Sequence, residues 1–200
     1  MKIRRILLDM DEVLTDFVGA ACELWGASYG EVLPHWPPAQ WDMVSPVDAA
    51  IRSKGIRDPE SPELTFEEFW KPINENEAFW AGMRKTPWCD AVITLVRMFC
   101  DDVHVISAPS LCISSHTGKI KWLRRMFGQD FSNFALTPYK ELFVSEGVVL
   151  IDDRDLNCER FRKHGGTSIV FPTHHNRMHS FKTDPVQYVE SALNQLTQGE

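Results

Sequence analysis

Residues 3–8 form a short apolar-rich run that stops at Asp9, the pattern of a buried strand. Phe17, Ala20, Ala21, Leu24 and Trp25 then recur at i, i+3, i+4, i+7 and i+8, the stripe of an amphipathic helix. From about 30 to 87 the texture changes. Trp36, Trp41, Trp70 and Trp80 fall here, among Pro34, Pro37, Pro38, Pro46, Pro59, Pro62 and Pro72. Prolines this dense forbid long strands and break helices into short pieces. The segment reads as a small, mostly helical, aromatic-rich insert between two parts of one core.

Periodicity resumes after Pro87. Asp90 is a plausible N-cap, followed by Val92, Leu95, Val96 and Phe99 on one helical face. Val103–Ile106 predicts a strand. Ile120, Leu123 and Phe127 mark a helix closed by Gly128, a residue suited to a helix stop. Phe134–Leu136 predicts a short strand. Val148–Ile151 is a continuous apolar run of the kind found inside parallel sheets. A short helix, a strand over 168–171 and a last helix opening at Thr183-Asp184-Pro185 complete the chain. Alternating strand and helix predicts an α/β fold with a mainly parallel sheet.

Two of these strands end in paired acids, Asp9 with Asp11 and Asp152 with Asp153. In a parallel sheet the carboxyl ends of strands share one edge, where ligands bind. Four carboxylates that close cannot all stay ionised without a cation or a proton. Oxygen donors of this kind suit Mg²⁺. Acids after strands also serve as turn formers and N-caps, but two pairs on strands this apolar favour a metal site. A third strand runs into Ser107-Ala108-Pro109, where a hydroxyl and backbone N–H groups can hold phosphate oxygens. Lys119 is expected near the start of the next helix, an unfavourable place for a cation unless an anion binds there.

The chain has 200 residues, of which 44% are hydrophobic and 24% charged, enough for one core with an inserted small domain. With 21 basic and 28 acidic residues the net charge is −7, without the basic footprint of a nucleic-acid duplex binder. No apolar run approaches the ~20 residues of a membrane span. The apolar start is too short for a secretory signal. Five scattered cysteines without a Cys-x-x-Cys read as reduced, mostly buried thiols of a cytoplasmic protein.

The ordered set Asp9-Met10-Asp11-x-Val13, Ser107, Lys119 and Asp152-Asp153 resembles the haloacid dehalogenase-like phosphohydrolase superfamily. Leu8 to Phe17, Lys119-x-x-Trp122, Leu136-Thr137-x-x-Lys140, Leu150 to Arg154 and His175-Asn176 look closest to its 5′(3′)-deoxyribonucleotidase family. The resemblance covers roughly 3–28 and 87–179 and is weak through the insert. It implies a Rossmann-like three-layer core over 1–16 and 87–200, with a small helical cap over 17–86 inserted after the first strand. It also implies a hydrolase that releases phosphate from (deoxy)nucleoside monophosphates through an aspartyl-phosphate.

By position, the resemblance makes Asp9 the nucleophile and Asp11 the general acid and base. Asp9, Asp11 (through its carbonyl) and Asp153 hold Mg²⁺, with Asp152 close by. Ser107, the Ala108 N–H and Lys119 bind phosphoryl oxygens. Phe17 matches a position lining the nucleotide pocket, Lys140 is retained from the family's pattern and is expected to bind substrate, and Trp41 and Trp70 are candidates to stack on the base. Trp36, Trp80 and Trp88 read as packing residues, and His174, His175 and His179 as surface or loop residues. The partner implied is a small nucleotide, with no membrane and no duplex; a homodimer is compatible with the family. Glu12 stands where many members have Gly, Ala108 where a hydroxyl is common and Pro138 where Arg is usual, which leaves nucleotide preference open against another small phosphorylated metabolite. A receiver-type phospho-acceptor module also places acids, a hydroxyl and a lysine at strand ends, but it lacks room for the insert. A non-catalytic nucleotide-binding scaffold is disfavoured by the full set of acids.

Overall fold

The computed structural model describes residues 1–198. Five strands form one sheet: β1 (Arg5–Leu8), β2 (Val103–Ser107), β3 (Phe134–Leu136), β4 (Val148–Asp152) and β5 (Thr167–Val170). All pair in parallel, in the order β3-β2-β1-β4-β5. The helices are α1 (Phe17–Leu24), α2 (Tyr29–Val32), α3 (Val44–Ser53), α4 (Phe66–Asn74), α5 (Glu77–Gly82), α6 (Cys89–Phe99), α7 (Ile113–Phe127), α8 (Asp155–Lys163) and α9 (Pro185–Gln198).

The chain divides into two compact units, one of residues 1–15, 85–108 and 131–200, the other of 16–84 and 109–130. The first holds the whole sheet. Leu7, Ile106, Val148 and Leu150 pack with Phe161 of α8 on one face. Ile6, Leu8, Val105, Val149 and Ile151 alternate with them and are also buried. Strands apolar on both sides are what a parallel sheet covered on two faces requires. Each large apolar side chain fully removed from water contributes roughly 1.5–3 kcal/mol. Asp184 caps α9 by accepting from the Gln187 N–H at 3.1 Å. The helix expected to follow an Asp90 cap begins two residues earlier, at Cys89, with Trp88 at the cap position. Asp90 instead sits in the first turn, where a negative charge faces the positive end of the helix dipole.

The second unit is built from five short helices and α7. In α1 the last turn differs from the expected stripe: Leu24 is exposed, while Val18 and Cys22 are buried. Phe17 stacks on Trp70 and Trp80 at 5.6 Å. Trp80 is anchored by its indole N–H donating to the Ile73 carbonyl at 2.9 Å. Helix α7 starts earlier than Ile120 and ends as expected at Gly128, whose φ of 108° a side chain would resist.

The first half of α7 escapes a hydrophobicity reading because its buried face is not hydrophobic. Ser115, Gly118, Lys119 and Trp122 are all buried, at i, i+3, i+4 and i+7. Gly118 allows the close approach of α5: a Cβ there would lie 2.4 Å from the Trp80 Cβ and 2.8 Å from the Glu77 carbonyl oxygen. Gly118→Ala is therefore expected to destabilise the protein by roughly 1–3 kcal/mol. The usual helical advantage of Ala over Gly, up to ~1 kcal/mol, does not offset a clash with backbone. Thermal unfolding of the variant checks this, and a raised melting temperature would refute the close-packing account.

Candidate active site

The parallel register sets the site. Leu8 of β1 lies beside Ile151 of β4, and the Asp9 N–H donates to the Ile151 carbonyl at 2.9 Å. Asp9 therefore leaves the sheet beside Asp152 and Asp153. Because β1 lies between β2 and β4, the connections leave it to opposite sides, which opens a ligand crevice at the strand carboxyl ends. Asp9, Asp152 and Asp153 are all buried, and each offers an oxygen within 4.8 Å of the others.

The Lys140 ammonium enters this group. It lies 2.7 Å from Asp9 Oδ1 and 2.5 Å from Asp152 Oδ2. Sequence resemblance put Lys140 on the substrate side; the structure buries it among the carboxylates. The physical reason is charge: three buried acids need a cation. Burial alone would push the Lys140 pKa down, but Asp152 and Asp9 outweigh it and hold the lysine protonated. One ammonium among three carboxylates still leaves excess negative charge. Burial, then the Asp152 charge, pushes the Asp9 and Asp153 carboxyls well above their ordinary range. Asp11 adds to the effect on both, so its charge acts on the cluster although its carboxylate is not in the group of three.

The loop after β1 holds these acids in place. Asp9 Oδ1 accepts from the Met10 N–H at 2.8 Å. The Thr15 hydroxyl donates to Asp11 Oδ1 at 3.2 Å. Leu14 and Thr15 N–H groups both donate to the Met10 carbonyl. Closing so tight a loop puts Glu12 at a φ of 58°, the left-handed region where Gly is at ease. Asp152 is saturated with donors: the Arg154 N–H at 2.9 Å, the Asn157 amide at 3.1 Å and Lys140.

Two further residues reach the acids and were missed in the sequence. His175 Nε2 lies 2.7 Å from Asp153 Oδ2, with both side chains buried. Burial holds the His175 pKa down at about 4. The Asn176 amide donates to the Asp153 carbonyl at 2.7 Å. His174 is likewise buried, and Lys182 Nζ lies 2.9 Å from its Nδ1. Of the expectation that His174 and His175 are surface or loop residues, the loop half agrees with the structure and the surface half is corrected: both sit in the loop after β5, and both are buried. The signal for this in the sequence is the His175-Asn176 pair that belongs to the family resemblance.

Ser107, at the end of β2, is fully buried, and Ala108 beside it is partly buried. The remaining expected residues belong to the second unit. Lys119 is not near the start of its helix but in the middle of α7, so the helix-dipole argument does not apply to it. It is fully buried, and its Nζ sits 4.8 Å from the centre of the Trp80 ring, a cation–π contact worth about 2 kcal/mol when desolvated. Phe17 is buried and Trp70 half-buried, stacked on each other. Trp41 is 45% exposed. All five cysteines are free thiols, three of them buried. Among the described residues no helix is long and apolar enough to cross a membrane.

An open parallel sheet flanked by helices, with buried acids at its switch point, is an α/β fold that solved structures share. A haloacid dehalogenase family hydrolase from Deinococcus radiodurans, solved with bound phosphate and sodium, aligns over 97% of this chain and 96% of its own, with a TM-score of 0.53 and 13% identity. A hydrolase from Streptococcus pneumoniae aligns over 90% of this chain and 99% of its own, with a TM-score of 0.50 and 13% identity. No curated protein matches the chain. Residues 2–192 match the family described as 5′ nucleotidase, deoxy (pyrimidine), cytosolic type C protein. The chain belongs to that nucleotidase family and is a hydrolase of phosphoric monoesters.

Proposed function

We propose that the protein is a Mg²⁺-dependent phosphomonoesterase that converts (deoxy)nucleoside monophosphates to nucleoside and phosphate through an aspartyl-phosphate. The observation that carries this reading is the buried trio Asp9, Asp152 and Asp153 with its excess negative charge. The donor set fits a hard divalent cation: all oxygen, carboxylate-rich and short of positive charge. Asp9, Asp153 and the Asp11 carbonyl are the ligands proposed. Asp152, whose oxygens already accept from Lys140, Asn157 and Arg154, stands beside them. When bound, the ion supplies charge neutralisation that lets a phosphate approach a carboxylate.

In the first step the Asp9 carboxylate attacks phosphorus in line. The ester oxygen leaves, and Asp11 gives it a proton, since an alkoxide is otherwise a poor leaving group. In the second step water attacks the acyl-phosphate and Asp11 takes its proton, releasing phosphate and restoring Asp9. Lys140, 2.7 Å from Asp9 Oδ1, orients the carboxylate and favours its anionic form against burial and the Asp152 charge. Ser107, the Ala108 N–H and Lys119 hold the phosphoryl oxygens. The insert over 17–86 acts as the cap that selects substrate.

Phosphate release from a panel of deoxynucleotides, ribonucleotides and sugar phosphates, with and without EDTA, tests this reading. Turnover of nucleoside monophosphates that EDTA stops and Mg²⁺ restores is expected. Rapid turnover of a sugar phosphate with none of any nucleotide would replace the substrate class by another small metabolite. Phe17 and Trp70 stack on each other, so of the two tryptophans read as base-stacking candidates Trp41, 45% exposed, is the better placed to meet a base. Trp41→Ala is expected to raise KM for nucleotides roughly 5- to 100-fold, the loss of one stacked base at ~1–3 kcal/mol. KM for p-nitrophenyl phosphate stays unchanged; equal effects on both substrates would remove the stacking assignment.

A further inference from the structure

The carboxylate taken here as a metal ligand on β4 does not stand alone. It is gripped at two points by consecutive residues of the loop that follows β5. His175 Nε2 reaches the Asp153 carboxylate at 2.7 Å. Asn176, 1% exposed, places its amide nitrogen within hydrogen-bond distance of the Asp153 carbonyl at 2.7 Å, the Phe171 carbonyl at 2.7 Å and the Thr173 hydroxyl at 2.8 Å, and shares its two N–H donors among them. Its own oxygen accepts from the Met178 N–H at 3.0 Å. The Phe171 N–H in turn donates to the Asp152 carbonyl at 2.9 Å. Backbone and side chain at the end of β4 are thus both tied to one short stretch of chain.

We propose that His175 and Asn176 form a positioning clamp that fixes the Asp153 carboxylate for metal binding. Asn176 locks the peptide of Asp153, and His175 locks the rotation of its carboxylate by occupying Oδ2. That leaves Oδ1 as the oxygen whose direction is set. A ligand oxygen that would otherwise sample several rotamers is held in one, and the ordering cost is met at folding instead of at metal binding. Outer-shell donors of this kind typically change metal affinity 10- to 100-fold when removed. The inference rests on the proposed role of Asp153 as a metal ligand, and the experiment separates the two.

The test titrates Mg²⁺ into the metal-depleted, full-length protein by calorimetry, without substrate, and follows the Mg²⁺-induced rise in melting temperature in parallel. His175→Phe fills the ring's space without a donor and is expected to raise the Mg²⁺ dissociation constant roughly 10- to 100-fold. His175→Gln places an amide N–H at similar reach and restores affinity to within a small factor of wild type. His175→Asn is too short to reach and behaves like the Phe variant, which serves if His175→Phe does not fold. Asp153→Asn is the reference. If it abolishes Mg²⁺ binding while the Phe and Asn variants bind as wild type does, the clamp is refuted and the metal site stands. If Asp153→Asn itself binds Mg²⁺ normally, the ligand assignment falls, and the clamp falls with it. Equal losses in the Phe and Gln variants would also overturn the clamp, since packing alone would then explain them.

Discussion

Asp9→Asn is expected to lower turnover by at least ~10⁴-fold while leaving the fold intact. An amide cannot attack phosphorus as a carboxylate does, yet it has nearly the same volume. Its oxygen can still accept the 2.8 Å bond from the Met10 N–H. Stability should move the other way. In the metal-free protein, burial and Asp152 hold the Asp9 pKa well above its ordinary 3.8. Between those two values the folded chain binds more protons than the unfolded one, so stability falls as pH rises through that window. Removing the acid removes that slope. The metal-free variant should melt above wild type at neutral pH and gain less from added Mg²⁺. Phosphate release and melting curves with and without Mg²⁺ check both halves. A residual rate within tenfold of wild type would rule Asp9 out as nucleophile.

Lys140→Met is expected to cost about 3–5 kcal/mol of stability and most of the activity. Its ammonium and the Asp152 carboxylate are 2% and 0% exposed. Deleting one partner of a buried pair leaves the other charge uncompensated, which is far worse than deleting both. The double variant Lys140→Met/Asp152→Asn should therefore be more stable than Lys140→Met alone, a non-additivity that a double-mutant cycle reads directly. Added Mg²⁺ should recover part of the loss, because it supplies positive charge to the same acids. Urea unfolding measures the terms. A cost below ~1 kcal/mol for Lys140→Met would mean that the lysine is not what balances the cluster.

What the sequence made legible follows from what repeats along it. The strand from 148 stands out because its apolar residues run without a break, and the acids Asp152 and Asp153 stand out because they end that run. The fold class, the parallel sheet and the pairing of Asp9 with Asp152-Asp153 are readable on that basis. Lys140 is different. Its partners lie on other segments, and nothing local distinguishes a lysine that faces substrate from one that faces two carboxylates. His175 is hidden for the same reason. The first half of α7 is hidden because its inward residues are Ser115, Gly118 and Lys119, chosen for size and charge, so a search for apolar periodicity passes over them.

The membership of α7 in the second unit bears on any attempt to transplant the selectivity region. That unit is assembled from 16–84 and 109–130, and the two stretches are fastened by Gly118 against Trp80 and by the Trp122 indole donating to the Met83 carbonyl at 2.8 Å. A chimera that exchanged only the contiguous insert would set a foreign surface against α7 and lose both fastenings. A graft that carried both stretches would keep them, and Lys119 would travel with the aromatic residues. Exchanging that unit between relatives would then move the lysine proposed to bind phosphate together with the tryptophans proposed to meet the base, as a single inherited cassette.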